Sequence, residues 1–318
     1  MKHIFLLVNP SAGMGAARER LFDILSTFAE EECVTTVGLI LPEKGVTSDV
    51  LLREADDSRD IIVCLGGDGT LSRTIDGYVR LGLTRPIGYL PAGSTNDFAR
   101  SLGIPGESTR GARAIARGKV FRYDLGVFNG RFFNYVAAFG AFTKVSYETN
   151  QAFKNVLGYA AYLLSALFTV GESVNVRCPM VIEHDGEKEE GSYIFGAVSN
   201  STSVAGFRVP FDREARMDDG LFEVLLIRSP ETFGDFTAIM GCLATGNLSS
   251  PFIEVFQTNE LTLHSGNNTA WTLDGEYGGS PENIHISMLQ RRIPLILDSP
   301  EDSAENRADP KAGRQSGD

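Results

Sequence analysis

The chain has 318 residues, 42% apolar and 22% charged, with a formal net charge of -12. That is the make-up of an ordinary globular protein with length enough for two cores. The negative balance excludes a general binder of nucleic acid or of anionic membrane, so attraction to phosphate has to come from local patches. Cys33, Cys64, Cys178 and Cys242 are scattered and form no CxxC or Cys/His cluster, which excludes a zinc site of the usual spacing.

The start, MKHIFLLVNP, is too short for a signal peptide and reads as a first strand at 4–8. Helical spacing of Leu21, Ile24, Leu25 and Phe28 follows, then a strand at 34–41 and a helix at 46–54. The run Ile61-Ile62-Val63-Cys64-Leu65 is a buried strand, broken by glycines before a helix at 71–81. A short strand at 87–90 and helices at 96–102 and 108–117 complete this part, with Gly118 as a stop. Such alternation predicts a doubly wound α/β sheet, with ligands at the carboxyl ends of its strands.

After Asp124 strand-like runs dominate, at 131–138, 174–183, 192–198, 222–227, 253–264 and 284–290. His184-Asp185-Gly186-Glu187 reads as a hairpin turn. Helical pieces are predicted at 155–170 and 231–243, and the first contains the apolar run VLGYAAYLLSALFTV, too short to span a bilayer. The division expected is an α/β nucleotide domain at 1–127, to which 291–298 returns, a mainly antiparallel β domain at 128–290, and a disordered polar tail at 299–318.

Three glycine-rich loops follow predicted strands: Asn9-Pro10-Ser11-Ala12-Gly13, Gly66-Gly67-Asp68-Gly69-Thr70, and Pro91-Ala92-Gly93-Ser94-Thr95-Asn96-Asp97. Exposed N–H groups at glycine turns and helix N-termini bind phosphate oxygens. Neither GxxxxGK[ST] nor GxGxxG occurs, so this is neither a P-loop nor the usual dinucleotide fingerprint. Acids at Asp68 and Asp97 beside a polyphosphate call for a cation between them, although a helix-start aspartate is also favoured by the dipole alone. Asp218-Asp219-Gly220 reads equally as a strand-entry turn or a hard-cation loop. Glu276, after the turn pair Asp274-Gly275, reads from the residues alone as a surface turn glutamate.

GGDGTL, PAGSTNDFAR, Asp124-Leu125-Gly126, Met217-Asp218-Asp219-Gly220-Leu221-Phe222 and Leu273-Asp274-Gly275-Glu276, in this order, resemble the diacylglycerol/sphingosine kinase superfamily, and within it the bacterial diacylglycerol kinase-like lipid kinases. The resemblance implies an NAD kinase/phosphofructokinase-like nucleotide domain, a β-sandwich lipid domain, and ATP in the crevice between them. It implies nucleotide contacts from Asn9, Pro10, Ser11, Ala12, Gly13, Gly67, Asp68, Gly69, Thr70, Leu71, Ser72, Arg73 and Thr95. Asp68, Asp97 and Asp124 would order water and the catalytic Mg²⁺, and Glu276 would be the general base. A structural Mg²⁺ would take the Asp219 carboxylate and the carbonyls of Arg216 and Leu221, with the choice between Asp218 and Asp219 left open.

The expected activity is phosphorylation of the primary hydroxyl of a lipid alcohol, diacylglycerol first. Other acceptors (a sphingoid base, a monoacylglycerol, a soluble NAD-like molecule) and a non-catalytic regulator are the rivals. Expected partners are the membrane surface and a second copy of the chain, but no nucleic acid, in a cytoplasmic protein that visits the membrane. The loop NSTSVAGFRVP, at 200–210, has a single glycine where the family often has a richer run, which puts the acceptor in doubt. Arg110, Arg113 and Arg117 fall on one helix face, followed by Lys119 and Arg122. They read as a solvated face or as a rim for anionic lipid, and Arg100 reads as a separate candidate for phosphate or membrane.

Overall fold

The computed structural model describes residues 1–55, 59–94, 96–140, 177–201, 216–245 and 248–298. They divide into two compact units, Met1–Arg122 with the residues from Ile293 onward, and Tyr123–Arg292.

The first unit alternates strand and helix. Its strands β1 (Lys2–Val8), β2 (Cys33–Leu39), β3 (Ile61–Gly66) and β4 (Ile87–Pro91) are joined by the carboxyl end of the chain's last strand, β15 (Asn283–Leu297). The hydrogen-bonded order is β15-β4-β3-β1-β2, parallel throughout, with Leu295 opposite Ile87. Parallel strands buried on both faces are uniformly apolar, and β3 and β4 are buried at every position. The helices are α1 (Ala16–Glu19), α2 (Leu21–Glu30), α3 (Ser48–Arg53), α4 (Asp68–Arg80), α5 (Asp97–Ser101) and α6 (Ser108–Arg117). Ile24 and Phe28 of α2 and Ala112 and Ile115 of α6 pack with Ile4, Leu6, Val63 and Leu65 in one core. On α4, Thr74 donates its hydroxyl to the Cys64 sulfur at 3.7 Å.

The second unit is a β-sandwich. After β5 (Lys119–Phe128) come β6 (Arg131–Phe133), β7 (Val136–Gly140), β8 (Cys178–His184), β9 (Glu187–Ser199), β10 (Phe222–Arg228), a helix α7 (Phe233–Thr245), β11 (Ile253–Thr258), β12 (Glu260–Ser265), β13 (Trp271–Leu273) and β14 (Glu276–Gly279). The order is β14-β13-β7-β9-β8-β12-β15, with β10 paired to both β9 and β11. One core gathers Phe128, Phe139 and Trp271, whose rings meet at 5.0 and 4.8 Å. Another packs Ile239 and Leu243 of α7 against Phe195 and Leu225.

Turn chemistry accounts for the hairpins. Asn129-Gly130, Asp185-Gly186 and Asp274-Gly275 each have positive φ at both residues, the two-residue turn that matches strand twist. The predicted turn at 184–187 is therefore observed, with His184 opposite Glu187. Two predicted single strands are each divided. The run at 131–138 breaks at Asn134 and Tyr135, because the Asp274 carboxylate takes their N–H groups. The run at 253–264 breaks at Asn259: the Thr258 hydroxyl donates to the Glu260 carbonyl at 2.9 Å, and the halves pair with different strands. The predicted helix at 155–170 and tail at 299–318 lie outside the described residues.

Candidate functional site

In the first unit the three glycine loops leave the carboxyl ends of β1, β3 and β4, adjacent or near-adjacent strands of one parallel sheet, and they meet. The Ala92 N–H donates to the Gly66 carbonyl at 2.8 Å. A methyl group on Gly93 would lie 2.6 Å from the Gly67 Cα, and one on Gly67 would lie 3.1 Å from the Gly93 Cα. A methyl group on Gly13 would overlap the Ala92 carbonyl oxygen, and Gly13 also has φ +59°. Glycine is required here because backbone runs against backbone.

Side chains tie the loops together. The Asn9 N–H donates to the Leu65 carbonyl at 3.0 Å, and its Nδ2 donates to Thr70 Oγ1 at 2.8 Å. The Asn9 Oδ1 accepts the Ser11 N–H at 3.1 Å. Asn96, at φ +50°, closes the third loop on itself: its Oδ1 accepts the Gly93 N–H at 2.9 Å and its Nδ2 donates to the Gly93 carbonyl at 2.8 Å. Asp68 is the first residue of α4, a 13-residue helix whose amino end points N–H groups out of the second loop. The buried Tyr89 hydroxyl stands 3.4 Å from Asp68 Oδ1. Asp97 opens α5. Its side chain, and all of Thr95, lie outside the described residues. The carboxyl end of a parallel sheet, with hydroxyls, a helix amino terminus and an acid, suits a polyphosphate with a cation.

In the second unit a different group of acids assembles. Asp124 is fully buried on β5. Its Oδ2 accepts the Gly220 N–H at 2.7 Å and its Oδ1 accepts the Arg291 N–H at 2.6 Å, while its own N–H donates to the Met217 carbonyl at 2.7 Å. Burial pushes the Asp124 carboxyl above the usual range, those two N–H groups pull it back, and the charges of Asp219 and Asp218 push it up again. Asp124, expected to act with Asp68 and Asp97, here holds the loop at 217–221 and Arg291 through one hydrogen bond to each oxygen.

The pair Asp218 and Asp219 also divides. Asp218 is taken by the Arg216 guanidinium, at 2.9 and 3.2 Å, and by Arg291 at 3.7 Å. Asp219 accepts the Leu221 N–H at 3.0 Å, and burial followed by the Asp218 charge raises its carboxyl. Glu223, wholly buried in β10, is pushed by burial up to about 7, with the Asp219 charge adding to the rise. Mutually repelling acids around a tight turn suit a hard divalent ion whose remaining ligands are carbonyl and water oxygens. Among the described residues no three His, Cys, Asp or Glu side chains form a metal-binding group by themselves.

Glu276 is exposed and is the first residue of β14, opposite Leu273 across the Asp274-Gly275 turn. Asp274 fixes that turn. Its Oδ2 accepts the Asn134 N–H at 2.8 Å and Nδ2 at 3.2 Å, and its Oδ1 accepts the Tyr135 and Val136 N–H groups at 2.9 and 3.2 Å. The arginines of α6, read as a solvated face or a basic rim, are engaged in ion pairs: Arg117 grips Glu31 with two bonds of 2.6 Å, Arg113 stands 3.6 Å from Glu30, and Arg110 stands 3.5 Å from Asp298.

Asn96, Asn200, Glu223 and Asp274 were not singled out as site residues from the sequence. For Glu223 a signal existed, an acid inside the apolar strand FEVLLI.

Residues 3–128 match the family model described as diacylglycerol kinase catalytic domain, and residues 136–293 match the YegS C-terminal NAD kinase beta sandwich-like domain. The chain belongs to the bacterial diacylglycerol kinase-like lipid kinases. Its relatives include the diacylglycerol kinase of Bacillus subtilis, 27% identical over 97% of this chain and 100% of that one. That of Staphylococcus saprophyticus is 28% identical over 91% and 93%. A solved structure of a diacylglycerol kinase from Bacillus anthracis, 23% identical, superposes with a TM-score of 0.76 over 94% of this chain and 98% of that one, a likeness of fold. In this lipid kinase the catalytic-domain match precedes the β-sandwich match along the chain.

Proposed function

We propose that this lipid kinase transfers the γ-phosphoryl group of ATP, with Mg²⁺, to the primary hydroxyl of a lipid alcohol, diacylglycerol first. The observation that carries this reading is the meeting of three glycine loops, backbone against backbone, over the amino end of α4. The names of the relatives favour diacylglycerol as the acceptor.

Phosphoryl transfer asks a protein mainly for alignment and for compensation of oxygen charge. In this reading Asn9–Gly13, Gly67–Arg73 and Thr95 hold the nucleotide, with glycine and α4 N–H groups turned to phosphate oxygens. Asp68, Asp97 and Asp124 orient the divalent ion and its water. Mg²⁺, when bound, neutralises charge on the phosphoryl oxygens. Asp219, with the carbonyls of Arg216 and Leu221, holds a second, structural ion, and Asp124 keeps that loop in shape through Gly220. Glu276 accepts the proton of the attacking hydroxyl. Its exposure suits that role, because the acceptor has to reach it from outside.

No helix among the described residues is long and apolar enough to cross a membrane. In this account the kinase works on its lipid by visiting the bilayer surface. A panel of lipid alcohols in mixed micelles, incubated with ATP and Mg²⁺ and read by mass spectrometry, tests the reading. Phosphatidic acid from diacylglycerol is expected. A phosphorylated soluble acceptor with no lipid product would overturn it.

A further inference from the structure

Around the Asp218–Leu221 turn the second unit closes a ring of hydrogen bonds. Glu223 Oε2 accepts the Ser201 N–H at 3.3 Å, and Oε1 accepts Gln257 Nε2 at 3.2 Å. Ser201 follows Asn200, whose Nδ2 donates to the Asp124 carbonyl at 2.5 Å. Asp124 Oδ2 accepts the Gly220 N–H at 2.7 Å, and Gly220 leads through Leu221 and Phe222 back to Glu223. Asn200, Ser201, Asp124 and Glu223 are all buried, at 0% exposure. Among the described residues Asn200 Oδ1, a buried acceptor of the same ring, has no hydrogen-bond partner.

Satisfying the Ser201 N–H needs only an acceptor. A glutamine would do this without the desolvation cost of a carboxylate. The acid at position 223 adds a second acceptor oxygen, which takes Gln257 Nε2 where a glutamine would present an N–H. Strand pairing fixes its place as well: Glu223 lies opposite Ser199, whose hydroxyl donates to the Glu223 carbonyl at 3.2 Å.

We propose that Glu223 is a positioning residue of the cation loop: through Ser201, Asn200 and Asp124 it holds the Asp218–Leu221 turn in the shape that takes a divalent ion. The proposal rests on the reading of Asp219 as a cation ligand given above. The test uses the full chain without nucleotide and Mn²⁺ as the probe, with free Mn²⁺ followed by electron paramagnetic resonance. Urea midpoints without metal are measured from Trp271 emission.

Glu223→Ala is expected to weaken Mn²⁺ binding about tenfold or more. Glu223→Gln, which keeps an acceptor for Ser201, is expected to weaken it about threefold while its metal-free midpoint stays close to wild type. Should Asp219→Asn lose Mn²⁺ while Glu223→Gln and any folded Glu223→Ala bind it like wild type, the positioning role is refuted and the cation loop stands. Should Asp219→Asn also bind like wild type, the cation loop itself is refuted, and the proposal with it. The glutamine variant keeps the test decisive if the alanine variant does not fold.

Discussion

Asp274→Ala removes the carboxylate that holds the β13–β14 hairpin, and with it the base of Glu276. Four hydrogen bonds of 2.8 to 3.2 Å end on that carboxylate. Asn134 is buried, so its N–H and its side chain lose an acceptor without gaining water. Hydrogen bonds to charged groups contribute roughly 1.5–3 kcal/mol each. Bonds that share one acceptor do not add fully, which brings the expected loss to about 4 kcal/mol. The turn position, at φ +50°, costs an alanine about 1 kcal/mol more than an aspartate.

Trp271, the only tryptophan of the chain, is fully buried three residues before Asp274 and reports on this unit. With an m-value of about 2 kcal/mol/M in urea, the total of about 5 kcal/mol should lower the midpoint followed by its emission by about 2.5 M. Asp274→Asn keeps the turn conformation and one acceptor oxygen, so its loss should be about half as large. A midpoint shift below about 0.3 M for the alanine variant would show that these bonds do not hold the hairpin.

Gly93→Ala sets a methyl group 2.6 Å from the Gly67 Cα, backbone that has to move. ATP affinity, measured by calorimetry, should fall at least tenfold while the Trp271 midpoint is unchanged; wild-type affinity would contradict the close loop contact. Asp124→Asn leaves one acceptor oxygen for the N–H groups of Gly220 and Arg291, so stability should drop by about 1–3 kcal/mol in the same urea assay. An equal or higher midpoint would contradict the assignment. Burial pushes the Cys64 thiol up to about 12, so at pH 8 its thiolate fraction is on the order of 10⁻⁴ and rises only as pH approaches that value. Thiol labelling of the native protein followed by peptide mapping should modify the partly exposed Cys242 first and leave Cys64 untouched. Rapid labelling of native Cys64 would contradict its burial.

Much of the fold was legible because periodicity reports burial. β3 and β4 are apolar at almost every position because both faces are covered, and Leu21, Ile24 and Phe28 recur with the helical period because one face of α2 is buried. The breaks at Asn134 and Asn259 were not legible. They are made by a carboxylate 140 residues away and by a local hydroxyl bond, neither of which leaves a trace in hydrophobic pattern. The glycine loops announced themselves by composition, and their contact follows from adjacent parallel strands. The partners of Asp124 did not, because Asn200, Gly220 and Arg291 are brought to it only by strand pairing across the second unit. The different partners of Asp218 and Asp219 were not legible either, since the Arg216 fork on Asp218 is a matter of side-chain geometry.

Glu276→Gln tests the account most directly. Transfer of label from γ-labelled ATP to diacylglycerol in mixed micelles is measured beside ATP binding by calorimetry. Transfer should fall by at least about a hundredfold with ATP affinity within twofold of wild type. Near wild-type transfer by the glutamine variant would contradict the account.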